Sequence, residues 1–162
     1  MSALIATLFG VGHLRPAPGT WGSLAALPLY FALYELGGLA LTLIATLLLV
    51  PLGTWAIARE TAGREDHDPS EIVIDEVAGQ WIALFPVGYG AFFTGADVLA
   101  LWPGWVAGLL FFRLFDIWKP WLVGRADRMG TPFGVMLDDL IAGVFAALAT
   151  FALGAAWHLV LL

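Results

Sequence analysis

Long apolar runs separated by short polar stretches set the layout of this 162-residue chain. Three runs approach the roughly 20 residues that a bilayer-crossing helix needs: Leu36 to Ile57, Val73 to Phe93, and about Val98 to Phe115. A fourth, Phe133 to Leu162, has length to spare. The piece Ser23 to Tyr34 is short for a crossing, and Gly37 and Gly38 after it read as a turn. It reads as a short or re-entrant first arm of a hairpin. The pattern predicts an all-α, polytopic helical membrane protein with about four spanning helices plus that N-terminal arm. Gly63 to Ser70 is the one strongly polar loop, and no repeat or linker divides the chain. Residues 1–162 are therefore expected to form a single integral-membrane domain.

Composition supports this class. Apolar residues make up 60% of the chain and charged ones 12%, with a mean hydropathy of +0.88, far from the soluble average of about 45–50% and 25%. Met1 to Gly12 lacks the basic start and apolar stretch of a signal peptide. Cysteine is absent, which excludes disulfides, thiolate metal sites and a cysteine nucleophile. The net charge of -6 says less than the position of each charge along the membrane normal, and nothing points to nucleic acid.

If the hairpin leaves from and returns to one side, the loops Arg59 to Ile72 and Ile117 to Pro132 lie on that side and Gly88 to Asp97 on the other. All seven basic residues, Arg15, Arg59, Arg64, Arg113, Lys119, Arg125 and Arg128, then share the first side, leaving Glu35 and Asp97 opposite. The Lys and Arg bias makes that first side cytoplasmic. Trp102 and Trp105 at one end, and Trp118 and Trp121 at the other, read as interfacial anchors. Gly104 and Gly108 have the spacing of a close helix approach.

Five carboxylates interrupt the apolar segments: Asp75, Glu76, Asp116, Asp138 and Asp139. Ionised groups at such positions are expensive and mark function by default. Asp75 and Glu76 stand between Ile72-Val73-Ile74 and Val77-Ala78, where two adjacent acids repel unless something positive separates them. Asp116 shares a helical stripe with Arg113 and Lys119, and an internal ion pair would account for it alone. Asp138 and Asp139 fall in the first turns of the last helix, which by itself favours acids. Together, oxygen-only ligands at one depth suit a hard divalent cation such as Mg2+, as one ion or an adjacent pair.

Arg113, Lys119, Arg125 and Arg128 are candidates to bind phosphate, although the same residues also satisfy the positive-inside bias. Thr20 and Ser23, in a Gly-rich stretch before a helix, are further anion-binding candidates. His13, His67 and His158 show no metal-site spacing, and His67 beside Asp68 is a candidate proton shuttle.

Four ordered blocks resemble the phosphatidylglycerophosphatase A family: PAPGTWGSLAALP, HDPSEIVIDEVAGQWIAL, FRLFDIWKPW, and ADR followed by FGVMLDDLIAG. The resemblance covers about Gly12 to Gly143. It implies a bacterial inner-membrane enzyme that hydrolyses the terminal phosphate monoester of phosphatidylglycerophosphate. It also implies dependence on Mg2+, with the acidic motif positions at Asp75, Glu76, Asp116, Asp138 and Asp139. Leu122 and the Thr131-Pro132 pair depart from the family pattern, in the loop that carries the basic residues. For the reaction, Asp75 and Asp116 are the leading candidates for general base. A divalent-cation or proton-coupled transporter using the same acids is the alternative, and a scaffold binding anionic lipid explains only the basic residues.

Overall fold

The computed structural model describes residues 1–161, without the side chains at 158, 160 and 161, so the reading of His158 lies outside the described residues. The described residues form helices and no strand: α1 (Ser2–Ala6), α2 (Pro18–Glu60), α3 (Ile74–Ala83), α4 (Phe85–Thr94), α5 (Trp102–Trp118), α6 (Leu122–Asp127) and α7 (Pro132–Leu161). Single 3-10 turns occupy Val11–His13 and Val98–Leu101. Among the described residues, three helical stretches are long and apolar enough to cross a membrane: Pro18–Glu60, Val98–Trp118 and Pro132–Trp157.

The first of these folds back on itself. Gly38 has φ 63° and ψ -158°, a backbone conformation open to glycine and strained for other residues, and it breaks α2 into arms of residues 18–36 and 39–60. Gly22 on the first arm faces Val73, and Gly53 on the second faces Ile74. Two ends that meet adjacent residues must return to one level, so α2 is a hairpin. Its tip lies beside α4, where the Tyr34 hydroxyl donates to the Gly88 carbonyl at 3.1 Å. The first arm is longer than the expected Ser23 to Tyr34 piece because Pro18, with φ pre-set for helix, starts it five residues earlier. At about 1.5 Å per residue it is roughly 28 Å long.

The run Val73 to Phe93, expected as one helix, is instead two ten-residue helices broken at Leu84. Pro86 has no N–H to return to the carbonyl of Ile82, and the ladder is interrupted there. Hydrophobic periodicity does not register such a break.

α3 is the centre of the molecule, packed on α2, α5 and α7. It crosses α7 where Gly79 and Gly143 meet with no room for a Cβ, since an added Cβ on Gly143 would overlap the Gly79 carbonyl. Gly104 and Gly108 bring α5 onto Val87 and the Ala83 carbonyl, as their spacing predicted. Trp105 corrects an expectation. It is only 9% exposed, stacks edge-on to Tyr30 at 5.8 Å and donates Nε1 to the Val98 carbonyl at 2.9 Å, so it belongs to the core rather than an interface. Trp102, Trp118 and Trp121 are exposed at the two ends of α5. Leu47, Leu48, Leu110, Leu148 and Phe151 point outward, an apolar exterior suited to lipid.

Candidate active site

Three helix ends converge at the level where the α2 arms return. The start of α3 is fixed by the N-terminal segment: the Val73 amide donates to the Ala6 carbonyl at 2.9 Å, and Gly12 lies directly against the Glu71 carbonyl. Asp75 and Glu76 occupy the first turn of α3, Asp116 the last turn of α5, and Asp138 and Asp139 the second turn of α7.

These five side chains form two overlapping triads. Carboxylate oxygens of Asp75, Glu76 and Asp139 lie within 4.8 Å of one another, and so do those of Asp116, Asp138 and Asp139. Asp139 belongs to both. Asp75, Asp138 and Asp139 are 5%, 4% and 3% exposed, so water provides little screening. Two cations oppose the five acids: Arg113 NH1 lies 2.6 Å from Asp116 Oδ2, and Lys119 Nζ lies 2.8 Å from Asp138 Oδ2. Asp75, Glu76 and Asp139 make no ion pair with a basic side chain among the described residues, and the buried Glu76 Oε2 has no hydrogen-bond partner. Buried carboxylates are stable as anions only when paired or coordinated, so an all-oxygen donor set with an orphaned oxygen fits a hard divalent cation.

A cavity of about 290 Å³ opens beside the first triad, lined by Ala17 to Gly19, Asp68, Ser70, Ile72, Glu76 and Arg113. Gly19 gives this wall its shape, because a Cβ there would overlap Glu76 Oε1 and come within 3.3 Å of Arg113 NH1. Arg113 thus stands between Asp116 and the cavity, with Ser23 Oγ 3.5 Å from its NH1. Ser23 itself is buried and donates to the Gly19 carbonyl at 2.9 Å.

Lys119 caps α5 with a left-handed backbone, φ 50° and ψ 53°, and its ammonium contacts Asp127 as well as Asp138. Burial alone would lower its pKa, but the two carboxylates outweigh that and raise it, so it remains a cation. The other candidates stand further out. Arg125, Arg128 and His67 are exposed, and His67 faces Gly130 at the mouth of the loop. Thr20 is half-buried in the first turn of α2 and does not line the cavity.

Ahead of α3, Ser70 or Asp68 reads from sequence as a helix cap, but the cap position is Val73, with no side-chain cap hydrogen bond, and both Asp68 and Ser70 line the cavity. Asp68 is exposed at the cavity rim, where partial desolvation raises its pKa, with Lys119 pulling it down and Asp127 pushing it up. Gln80 is a third residue that sequence reasoning passes over. It is fully buried, and neither amide atom has a partner. An amide in the apolar stretch Val77 to Ala83, one turn beyond Glu76, was the available signal.

Buried acids at one end of a lipid-suited helical bundle, with fixed cations and a cavity beside them, define a membrane protein built around a polar reaction centre. The chain belongs to the phosphatidylglycerophosphatase A family, whose profile it matches over residues 4–154. It is 38% identical over 152 residues to the phosphatidylglycerophosphatase A of Haemophilus influenzae, covering 93% of this chain and 86% of that one. It is 32% identical over 157 residues to that of Escherichia coli, covering 96% and 85%. A Bacteroides thetaiotaomicron protein provisionally named a phosphatidylinositol-3-phosphatase is 37% identical over 150 residues, covering 90% and 89%. No solved structure matches.

Proposed function

We propose that this protein removes the terminal phosphate monoester of phosphatidylglycerophosphate, giving phosphatidylglycerol and inorganic phosphate, and that the reaction requires Mg2+. The observation that carries the reading is the pair of carboxylate triads sharing Asp139, with Arg113 and Lys119 beside them. The family name supplies the substrate class.

Carboxylates of the set Asp75, Glu76, Asp116, Asp138 and Asp139 would hold the cation, as one ion or an adjacent pair, with one beyond those needed for the metal left to act as base. When bound, it would supply Lewis acidity to the phosphoryl oxygens and acidify a water molecule. The remaining work belongs to the chain. Arg113, at the cavity wall, draws the phosphoryl oxygens into line and offsets charge that grows as the P–O bond to the glycerol breaks. Lys119 neutralises part of the acid cluster and keeps an anionic substrate from being repelled. Asp75 is the preferred general base: it takes the proton as the water oxygen attacks phosphorus, because Asp116 is already committed to Arg113. The leaving glycerol oxygen then takes a proton from solvent at the open side of the cavity.

The seven basic residues favour a cytoplasmic site in the inner membrane of a bacterium. The acyl chains remain in the bilayer while the headgroup reaches the cavity. Glu35 and Asp97 lie toward the hairpin tip, far from the cluster, which favours hydrolysis over an ion path through the bundle.

Substrate class is tested by measuring phosphate release from liposomes containing phosphatidylglycerophosphate, phosphatidylinositol 3-phosphate or phosphatidic acid, with Mg2+. Preferential release from the first is expected. Release from none of them, by folded protein, would contradict the proposal and direct attention to ion-flux assays.

A further inference from the structure

Four of the buried polar atoms left without a partner lie on three residues around the first triad: Glu76 Oε2, Gln80 Oε1 and Nε2, and Arg113 Nε. Two are donors and two are acceptors, and they match in pairs. Glu76 and Gln80 are one helical turn apart on α3, the spacing at which side chains are neighbours and amides pair with carboxylates. Glu76 and Arg113 face each other across Gly19, where one Cβ position would meet both. Gln80 is fully buried, so bulk water does not reach its amide. A buried amide that makes neither of its bonds costs stability, and such a group points to a ligand, an ion or a functional state that satisfies it.

We propose that Gln80 is a positioning residue that links the cation-holding carboxylate to the phosphate-facing guanidinium. Its Nε2 donates to Glu76 Oε2 and its Oε1 accepts from Arg113 Nε when a divalent cation draws Glu76 into the triad. The link holds Glu76 with its other oxygen toward Asp75 and Asp139, and turns the outer nitrogens of Arg113 toward the cavity. No covalent step is involved. The inference rests on the carboxylate-cation reading given above and adds a residue that touches neither cation nor substrate.

Mn2+ serves as a spectroscopic probe for the Mg2+ site. The test compares wild type with Gln80→Met, which preserves volume and removes both polar atoms, by Mn2+ dissociation constant from electron paramagnetic resonance and by thermal midpoint in EDTA, both in detergent. Orientation of a ligating carboxylate is typically worth about 10- to 100-fold in metal affinity. The expected result is Mn2+ binding weakened roughly tenfold or more, with the metal-free midpoint unchanged or raised because an unpaired buried amide has been removed. A purely structural amide, bonded to a trapped water, predicts a lowered metal-free midpoint and unchanged Mn2+ affinity, and that result overturns the inference. Should Gln80→Met fail to fold, Gln80→Asn draws the same groups back by one methylene. Weakened Mn2+ binding is again expected, and unchanged binding overturns the inference. Wild-type protein that binds no Mn2+ would remove the carboxylate-cation reading as well, whereas tight wild-type binding matched by the variant removes only the role of Gln80.

Discussion

Lys119 Nζ lies 2.8 Å from Asp138 Oδ2, tying the left-handed cap of α5 to the second turn of α7. The contact exists because Lys119 reverses the chain ahead of Pro120, which turns its side chain back over the acid cluster. Asp138 is almost fully buried, so loss of the ammonium leaves a crowded anion without compensation. Lys119→Met is expected to lower the thermal midpoint in EDTA and to make that midpoint more dependent on added Mg2+. Thermal scans of both proteins with and without Mg2+ check this.

Gly143 meets the Gly79 carbonyl at the α3–α7 crossing, and backbone on both sides leaves nothing flexible to yield. Gly143→Ala is expected to destabilise the protein by about 1–3 kcal/mol as the helices separate. The same shift would move Asp139 away from Asp75. Denaturant unfolding in detergent measures the stability loss, and phosphate release should fall with it.

Gly19→Ala separates the site from the fold. Alanine favours the helix that begins there, yet its Cβ would press on Glu76 Oε1 and Arg113 NH1. The expected result is a nearly unchanged thermal midpoint with phosphate release reduced roughly tenfold or more, since small displacements of positioning groups are costly.

The 61–73 loop has its own pH dependence. Glu71 accepts from its own backbone amide and from Arg64, at 2.9 Å, and both bonds lower its pKa below the ordinary 4.5. A lowered carboxylate pKa gives stability that is present above the unfolded value and is lost as pH falls through the folded one. Limited proteolysis of this loop should therefore accelerate as pH drops below about 4.5 in wild type. In Glu71→Gln the rate should be higher at neutral pH and lose this acid-side step.

The convergence of Asp75, Glu76, Asp116, Asp138 and Asp139 was legible in sequence because a charge inside an apolar segment is too costly to persist without a partner or a ligand. The Gly37-Gly38 turn and the Gly104/Gly108 approach were legible through the conformational and steric freedom of glycine. The break at Leu84 was not, since Pro86 leaves the apolar pattern intact. The short helices α1 and α6 carry too few residues for a period to emerge. Asp68 and Ser70 precede a helix, so local capping chemistry accounted for them, and only the folded chain brings them opposite Arg113. Trp105 shows the limit of an anchor assignment made by position along a helix, because the partner that buries it, Tyr30, is remote in sequence.

The most direct measurement is phosphate release from phosphatidylglycerophosphate liposomes by wild type, Asp75→Asn, Asp138→Asn and Asp139→Asn, each with Mg2+, with EDTA, and with Mg2+ restored. Asp139 serves both triads, so its substitution should cost most, roughly 10^2- to 10^4-fold, equivalent to several kcal/mol of transition-state stabilisation. Wild-type activity should vanish in EDTA and return with Mg2+. Undiminished release in EDTA, or an Asp139→Asn protein as active as wild type, would contradict a cation held by the shared carboxylate.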